Sequence, residues 1–397
     1  MMEQDVFQKD RDYYMPVFAR YPVVLERGEG VYVYDSEGRR YLDFLAGIAV
    51  NALGHAHPRL VKAIAEQAGK LIHCSNLYYT EVQAQLIERL AKLCRLDKVF
   101  LCNSGAEANE GAFKLARKYT HRMDPEKSTI LSAQHSFHGR SLATLTATAQ
   151  PKYQMGFGPL PAGFDYVEYN DIPALEQKIN AKTCAVLLEP VQGEGGVRIP
   201  DADYLKRVRA LCDRFDALLI LDEIQTGVGR TGTFLACEQA GVAPDIVTLA
   251  KGLAGGVPIG AFLASNKVAE AFTPGAHGST FGGNPLASAA AVAVLNVLED
   301  DGILDNVKTC GAHFLRRLTG LQQKYHNRIK EVRGKGLLIG LELHEPGRDI
   351  VETALTRGAL INCTANTVLR FAPPLIVTNE QIDEVVDIVD RALAETG

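Results

Sequence analysis

The stretch that decides the fold is Leu-Leu-Ile-Leu-Asp-Glu at residues 218–223, where four apolar residues end in two carboxylates. A short, continuous apolar run is typical of a strand buried in a parallel sheet. Comparable runs alternate with helical patterns at residues 99–102, 129–132, 185–188, 218–221, 246–249 and 261–264. This alternation predicts an α/β fold in which helices cover both faces of a mainly parallel sheet. Ligands of such sheets bind outside the carboxyl ends of the strands, where Asp222 is expected.

The domain organisation follows from chain length and one helix-start signal. The chain has 397 residues, which is enough for two domains with their own cores. Asn284 followed by Pro285 predicts the start of a long apolar helix that bridges two domains. We expect residues 56–290 to form the large domain and residues 291–397 a smaller α+β domain, which the N-terminal segment 1–55 joins.

Composition excludes several classes of protein. The formal net charge of -5 disfavours nucleic acid as a partner. No apolar stretch approaches the roughly 20 residues that a bilayer span requires, so we expect no membrane segment. The N-terminal residues lack the apolar core of a secretion signal. Eight cysteines are scattered without a C-x-x-C pair, which is typical of reduced thiols in the cytoplasm.

A phosphate site is expected after the first predicted strand. Residues 103–109 read Asn-Ser-Gly-Ala-Glu-Ala-Asn and lead into a helical pattern. Free backbone N–H groups at the start of a helix bind phosphate, and the small residues Gly105 and Ala106 allow a close approach. Simple capping of the helix by Asn103 or Ser104 is the alternative interpretation.

Lys251 is the candidate nucleophile. It follows the apolar run 246–249, and no other charged residue lies between Asp245 and Lys267. A lysine in such surroundings is desolvated, which lowers the pKa of its ammonium group and lets the amine attack an aldehyde. A phosphate cradle, the carboxylate of Asp222 and this amine together fit an aldehyde cofactor with a phosphate and a pyridine nitrogen. Pyridoxal phosphate meets that description.

Two other sequence patterns suggest different chemistry and are disfavoured. Residues 227–232 match the dinucleotide fingerprint G-x-G-x-x-G, but five residues separate this match from the preceding strand, so an NAD-binding oxidoreductase is the weaker hypothesis. The chain also lacks the complete P-loop of a nucleotide triphosphatase. His55 with His57 and His135 with His138 have no further zinc ligands nearby, so we expect no metal.

Six motifs occur in an order that resembles one enzyme family. They are N-S-G-A-E-A-N-E from Asn103, F-H-G-R from Phe137, E-P-V-Q-G-E-G-G-V from Glu189, L-D-E-I-Q-T-G-V-G-R-T-G from Leu221, A-K-G-L from Ala250 and H-G-S-T-F-G-G-N-P from His277. The chain resembles the class III aminotransferases of pyridoxal-phosphate fold type I over nearly its whole length. The resemblance implies a homodimer with shared active sites that acts on small amino and oxo acids.

The resemblance also implies the cofactor contacts. Lys251 would form the Schiff base with the cofactor and move the proton, while Asp222 would pair with the pyridinium nitrogen. Phe137 would stack on the ring, Gln225 would lie near its phenolic oxygen, and Thr280 would reach the phosphate bound by the neighbouring subunit. The full cofactor set is Gly105, Ala106, Phe137, Asp222, Gln225, Lys251 and Thr280.

The implied substrate contacts are Arg140, Ser279, Glu194 and Arg370. Arg140 would bind the carboxylate far from the reacting amine. Arg370 would bind the α-carboxylate of glutamate and would otherwise be neutralised by Glu194. Ile48 stands where ornithine aminotransferases have a tyrosine, which argues against free ornithine.

The expected reaction converts N2-acetyl-L-ornithine and 2-oxoglutarate to N-acetyl-L-glutamate 5-semialdehyde and L-glutamate, a step of arginine biosynthesis. Succinylornithine, N-succinyldiaminopimelate and 4-aminobutyrate stay open as alternative amines. Decarboxylases and aminomutases share the fold type, but the two-arginine arrangement favours transamination. A non-enzymatic binding module has no need of a lysine at this strand end.

Overall fold

The structure, a computed structural model, describes residues 3–396. Within that range the strands are β1 (Leu25–Glu29), β2 (Tyr32–Asp35), β3 (Arg40–Asp43), β4 (Lys98–Cys102), β5 (Thr129–Ala133), β6 (Phe164–Val167), β7 (Thr183–Leu188), β8 (Leu218–Asp222), β9 (Ile246–Leu249), β10 (Gly260–Ala264), β11 (Ile329–Lys335), β12 (Leu338–Leu343), β13 (Ala359–Leu360), β14 (Asn362–Thr364) and β15 (Val368–Phe371).

The α-helices are α1 (Glu3–Tyr13), α2 (Ala46–Ala49), α3 (Pro58–Ala68), α4 (Glu81–Cys94), α5 (Gly105–His121), α6 (Leu142–Ala147), α7 (Pro151–Gln154), α8 (Ile172–Lys178), α9 (Tyr204–Arg214), α10 (Asn266–Ala269), α11 (Pro285–Asp300), α12 (Ile303–Lys324), α13 (Arg348–Thr356) and α14 (Asn379–Glu395). Two short 3-10 helices span Ala236–Ala240 and Lys251–Ala254. No helix within residues 3–396 is both long and apolar enough to cross a membrane.

The large sheet has seven strands in the order β4-β10-β9-β8-β7-β5-β6. Its β9–β8, β8–β7, β7–β5 and β5–β6 pairs are parallel, whereas β10 is antiparallel to both β4 and β9. All six apolar runs lie in this sheet, which confirms the α/β fold class and the mainly parallel arrangement. Strand β6 lies outside the predicted set because it is an edge strand whose exposed Asp165 interrupts the apolar pattern.

Burial on both faces explains why the central strands read as continuous apolar runs. Every residue of β7, β8, β9 and β10 is buried. Burying one Val, Leu or Ile side chain stabilises a fold by about 1.5–3 kcal/mol, so these strands strongly favour the sheet interior. Asp222 is the last residue of β8 and is carried by that rigid core to the carboxyl edge of the sheet.

Helix α11 begins where the sequence predicts. The side chain of Asn284 accepts a hydrogen bond from the backbone N–H of Ala287 at 2.9 Å, and Pro285 occupies the first turn. Most of this alanine-rich helix is buried, and it packs against α3 and α4. The helix is therefore a core element between the large sheet and the C-terminal part of the chain.

Two smaller sheets complete the fold. Strands β11, β12, β15 and β14 form an antiparallel sheet that is covered by α12. Strands β1, β2 and β3 form a meander, and β13 pairs with β3 in parallel, placing Ala359 opposite Leu42. This pairing brings the N-terminal segment to the C-terminal part of the chain. The division into residues 1–55, 56–290 and 291–397 stays a proposal, and its second boundary falls within α11.

The short segment α2, which follows β3, is a left-handed turn. Ala46, Gly47, Ile48 and Ala49 have φ angles of 49°, 63°, 68° and 63°. Left-handed backbone is strained for residues other than glycine, and most of all for a β-branched residue, so surrounding contacts must hold it. The carboxylate of Asp43 does so, because its Oδ1 accepts hydrogen bonds from the N–H groups of Leu45 at 3.1 Å and Ala46 at 2.7 Å.

His55 completes that arrangement. Its Nε2 lies 2.8 Å from Oδ2 of Asp43, and its ring packs so closely on Gly28 that a Cβ there would lie 2.5 Å from the ring. His55 therefore supports the turn. No cluster of three or more potential metal ligands occurs within residues 3–396.

Candidate active site

A cavity of about 440 Å³ opens at the carboxyl ends of the large-sheet strands. Pockets of this size bind small molecules and cofactors. Eight of the predicted site residues line it together: Gly105, Ala106, Phe137, Arg140, Glu194, Asp222, Gln225 and Lys251. The fold thus brings most of the predicted site into one place, although these residues come from widely separated parts of the chain.

The phosphate cradle lies at the start of α5. Ser104 caps the helix by accepting a hydrogen bond from the N–H of Glu107 at 3.2 Å. The Ser104 cap occupies only one backbone N–H group. The other N–H groups at the start of the helix lack partners within the helix and can bind the phosphate. A Cβ at Gly105 would lie 2.8 Å from Cδ1 of Ile224, so a larger residue there would require the Ile224 side chain to move. Asn103 is not the cap; its amide donates instead to Glu107 at 2.8 Å.

Asp222 is buried and held by three hydrogen bonds. Its Oδ2 lies 2.8 Å from both the amide nitrogen of Asn109 and Nδ1 of His138, and its Oδ1 accepts from the N–H of Ile224 at 3.0 Å. Hydrogen bonds to a carboxylate stabilise its ionised form and fix its direction. Asn109 and His138 are functional residues outside the predicted set, and only the fold brings them to Asp222.

Lys251 lies in a left-handed backbone conformation, with a φ angle of 45°. It is the first residue of the 3-10 helix Lys251–Ala254 and reaches the cavity. Burial lowers the pKa of its ammonium group below the ordinary lysine value, although the nearby carboxylate of Glu194 opposes that shift. The neutral amine of Lys251 is therefore more highly populated than that of an exposed lysine, as a nucleophile requires.

Glu189 is a further buried carboxyl group in the cavity wall. Its Oε1 accepts from the N–H of Phe137 at 2.9 Å and its Oε2 accepts from the N–H of Gly193 at 3.1 Å. Burial raises its pKa to about 7. Glu189 thus joins the loop that carries Phe137 to the loop that carries Glu194. Its place after β7 was the available signal in the sequence, but no role was assigned to it.

Arg370 is 1% exposed and is neutralised by Glu194. Its NH1 donates to Glu194 and, at 3.3 Å, to the side-chain oxygen of Gln225. Its Nε donates to Asn362 at 3.3 Å, while NH2 has no partner within residues 3–396. Burial alone would raise the pKa of Glu194, but Arg370 and Lys251 outweigh burial and lower it. The buried guanidinium of Arg370 is thus paired beside the cavity, and its NH2 group is free to donate a hydrogen bond.

Arg140 lies at the exposed edge of the cavity, and Ser279 and Thr280 lie outside its lining. Arg140 lines it but is exposed, and no carboxylate pairs with it within the described chain. The Oγ of Ser279 accepts from Asn103 at 3.1 Å and from the N–H of Gly282 at 3.0 Å, outside the cavity lining. Thr280 is exposed and does not line the cavity of its own chain.

Residues 227–232 do not form a dinucleotide site. They follow β8 as consecutive turns, and no α-helix begins at their end. The buried side chain of Arg230 instead donates to the carbonyl oxygens of Leu337 at 3.1 Å and Pro373 at 2.5 Å. These contacts join the large domain to the C-terminal part of the chain. The oxidoreductase hypothesis therefore lacks the strand-turn-helix unit that it needs.

Pyridoxal phosphate fits the residues present. The helix start at Gly105 suits its phosphate, the fixed carboxylate of Asp222 suits its pyridine nitrogen, and the amine of Lys251 suits its aldehyde. Phe137 adds an aromatic ring in the cavity wall. The donor set offers one group for each reactive part of this cofactor.

Comparison with known proteins identifies the family. The sequence model described as aminotransferase class-III matches residues 14–393. The acetylornithine aminotransferase of Methanocaldococcus jannaschii is 53% identical over 396 residues, which cover 100% of this chain and 99% of that protein. Among solved structures, the ornithine aminotransferase from Toxoplasma gondii superposes with a TM-score of 0.96 at 37% identity, covering 100% of this chain and 96% of the other.

A second solved structure has a different substrate in its name. The N-acetylornithine aminotransferase from Stenotrophomonas maltophilia superposes with a TM-score of 0.85 at 41% identity and covers 98% of this chain and 99% of the other. Both superpositions extend over the large sheet and the smaller sheets, which confirms fold type I. With the cavity, the lysine and the motifs, these matches show that the chain belongs to the class III aminotransferases, enzymes that depend on pyridoxal phosphate.

Proposed function

We propose that this enzyme transfers the terminal amino group of N2-acetyl-L-ornithine to 2-oxoglutarate, giving N-acetyl-L-glutamate 5-semialdehyde and L-glutamate. The observation that carries the proposal is the contrast between two arginines at one cavity: Arg140 has no carboxylate partner within residues 3–396, whereas Arg370 is paired with Glu194. The names of the relatives in Methanocaldococcus jannaschii and Stenotrophomonas maltophilia support the same substrate.

The chain's own residues divide the chemistry among them. Bound pyridoxal phosphate supplies an aldehyde carbon and an electron-accepting ring. The Nζ atom of Lys251 holds the cofactor and, once released, takes the proton from the amine-bearing carbon of the substrate. The carboxylate of Asp222 keeps the pyridine nitrogen protonated, and Asn109 and His138 keep that carboxylate in place. Gly105 and Ala106 would bind the phosphate through their N–H groups, Gln225 would lie beside the ring, and Phe137 would stack on it.

The two arginines let one cavity accept two kinds of amine. Arg140 binds the carboxylate that lies far from the reacting amine, a task that suits a planar guanidinium. Arg370 stays paired with Glu194 when the amine-bearing carbon carries no carboxylate. When glutamate binds, its α-carboxylate takes the place of Glu194 on Arg370. Ser279 accepts a hydrogen bond from Asn103, which lines the cavity, and we assign it a contact with the substrate.

Free ornithine is a poorer fit. The resemblance places Ile48 where ornithine aminotransferases have a tyrosine, although Ile48 does not line the cavity of its own chain. Its side chain is apolar and 42% exposed, so it offers no hydrogen bond to a free amino acid group. Acylation of the N2 amino group removes its positive charge, so the acylated group suits an apolar neighbour. Ornithine is therefore expected to be turned over more slowly than its N2-acetyl derivative.

A second copy of the chain would complete the site. Large apolar side chains are exposed on residues 71–79, and Tyr79 and Leu77 are 103% and 82% exposed. Exposed apolar surface of this kind marks an interaction site. The ring of Phe281 lies 5.4 Å from that of His73, so this surface continues into the loop that carries Thr280. We infer a homodimer in which Thr280 reaches the phosphate bound by the partner, and sedimentation velocity would test it.

The site of action is proposed to be the cytoplasm. All eight cysteines are free thiols, and six of them are buried. Unpaired cysteines in this number are typical of proteins from reducing compartments.

Steady-state kinetics tests the proposed substrate. We would measure kcat/KM with 2-oxoglutarate as acceptor and N2-acetylornithine, succinylornithine, N-succinyldiaminopimelate, 4-aminobutyrate or ornithine as donor. The proposal predicts the highest value for N2-acetylornithine. A higher value for 4-aminobutyrate or ornithine would overturn it, and a higher value for a succinylated amine would correct the acyl group.

A further inference from the structure

Arg140 needs something other than an ion pair to hold it. It lines the cavity, is exposed, and has no carboxylate partner within the described chain. A free arginine side chain samples many rotamers, and binding a carboxylate in one geometry costs that freedom. A side chain that holds the guanidinium in advance would strengthen binding of the carboxylate.

Tyr153 supplies such a contact. The Cζ atom of Arg140 lies 3.9 Å from the centroid of the Tyr153 ring and 5.6 Å from that of Phe137. The two rings meet edge to face, with centroids 6.0 Å apart and an interplanar angle of 85°. A guanidinium over an aromatic face is attracted by the electrons of the ring while its N–H groups stay free for a carboxylate.

The short helix α7, which carries Tyr153, is anchored on both sides. The amide of Gln154 donates to the carbonyl oxygens of Leu145 at 3.2 Å and Thr148 at 2.9 Å. The amide of Gln150 donates to the carbonyl oxygen of Ser136 at 2.9 Å, one residue before Phe137. The two rings are therefore fixed relative to each other, as a preorganised binding group requires.

The acid on the neighbouring helix does not capture Arg140. Glu110 accepts instead from the hydroxyl of Ser141 at 2.5 Å and from the N–H of Thr144 at 3.4 Å. The guanidinium is thus held by aromatic rings and left without a competing carboxylate.

We propose that Tyr153 is a positioning residue for the substrate: its ring holds Arg140 where that arginine binds the carboxylate distant from the reacting amine. The inference rests on the proposed role of Arg140. The contacts are made by the ring, so the hydroxyl group is dispensable and phenylalanine should replace tyrosine.

The test compares two amines that differ only in the carboxylate. N2-Acetyl-L-ornithine carries it, and N-(4-aminobutyl)acetamide is the same molecule with hydrogen in its place. Tyr153→Leu should lower kcat/KM for N2-acetylornithine by about three- to thirty-fold, through KM, and should leave the value for N-(4-aminobutyl)acetamide within about two-fold. Tyr153→Phe should stay within about two-fold of the wild type for both amines.

Two outcomes would overturn the inference. An equal loss for both amines in Tyr153→Leu would show that the residue supports the cavity wall and not the arginine. A loss in Tyr153→Phe as large as that in Tyr153→Leu would show that the hydroxyl matters. The melting temperature and the visible absorbance of the lysine-bound cofactor show that each variant is folded and loaded.

Failure of the proposed function would be seen separately. If the wild type does not turn over N2-acetylornithine, the comparison is made with 4-aminobutyrate and propylamine, which again differ only in the carboxylate. In an Arg140→Ala background, Tyr153→Leu should cause no further loss with the carboxylate-bearing amine, because the two residues act as one unit. An additional loss there would also contradict the inference.

Discussion

Replacing Glu194 with Gln should separate the two half-reactions. The substitution keeps the shape of the side chain and removes the charge that neutralises Arg370. The cation then stays buried with only Gln225 and Asn362 as acceptors. A donor whose reacting carbon carries no carboxylate, such as N2-acetylornithine, binds beside this unpaired charge and leaves it unchanged, whereas the α-carboxylate of glutamate neutralises it without first displacing a charged Glu194. We expect the preference between the two donors to shift towards glutamate.

The size of the effect follows from the burial of the pair. Side-chain exposures are 1% for Arg370 and 21% for Glu194. Removing one partner of a buried ion pair costs about 3–5 kcal/mol. Because the unpaired charge is present both in the free variant and in its complex with N2-acetylornithine, its cost largely cancels for that donor, and the kcat/KM value should change by less than about three-fold. The α-carboxylate of glutamate relieves the charge, and the remaining amide acceptors already offset part of the cost, so we expect kcat/KM for glutamate to gain up to roughly 3 kcal/mol, or about 100-fold.

Single-turnover absorbance measurements with each amino donor test this prediction. Glu331→Gln is the matched control, because Glu331 pairs with Arg333 at 2.6 Å on the surface and lies outside the cavity lining. An equal loss of rate with both donors in Glu194→Gln would refute the reasoning and leave the pair with a structural role only. Acid should weaken the pair in the wild type: the pKa of Glu194 is lowered in the fold, so its contribution to stability is present at neutral pH and is lost below about pH 4.5.

Three further substitutions test other parts of the account. Burial raises the pKa of Glu189 to about 7, so its contribution to stability is present below about pH 4.5 and is lost as pH rises towards 7. Glu189→Gln should remove this pH-dependent loss of stability, which amounts to roughly 3 kcal/mol at most, and urea titrations across this pH range would measure it. Unchanged pH dependence would contradict the shift. Gly105→Ala should weaken cofactor binding by about three- to ten-fold, since its Cβ would displace the Ile224 side chain in the cavity wall. Gly320→Ala, in a helix with open space around it, should leave cofactor binding unchanged and stabilise the fold by about 0.5–1 kcal/mol. Similar cofactor affinity for both alanine variants would argue against the cradle. Asp43→Ala should lower the free energy of unfolding by about 2 kcal/mol, because it removes the acceptor that holds the left-handed turn; a melting temperature equal to that of the wild type would contradict this.

The central strands were predictable because burial on both faces leaves a continuous apolar run. Strand β9 begins at Ile246 and ends at Leu249, at the predicted residues. The direction of β10 was not predictable, because a buried strand reads alike whether its neighbours are parallel or antiparallel. Strand β6 was hidden because only one of its edges is paired and part of it faces solvent.

The site was predictable where chemistry follows a strand directly and not where it depends on long-range contacts. Asp222 and Lys251 follow apolar runs, so their position alone pointed to the carboxyl edge of the sheet. Asn109 and His138 contact Asp222 across 113 and 84 residues of sequence, and no local pattern marks that meeting. The role of Thr280 depends on a second copy of the chain, which one sequence does not contain.

Lys251 and its cavity are proposed to transfer the amino group of N2-acetylornithine to 2-oxoglutarate, which yields glutamate. The most direct test adds N2-acetyl-L-ornithine, without an oxo acid, to the cofactor-loaded protein and follows the visible absorbance of the cofactor joined to Lys251. We predict that the absorbance band is lost and that 2-oxoglutarate restores it. A band that N2-acetylornithine leaves unchanged while glutamate removes it would contradict the claim.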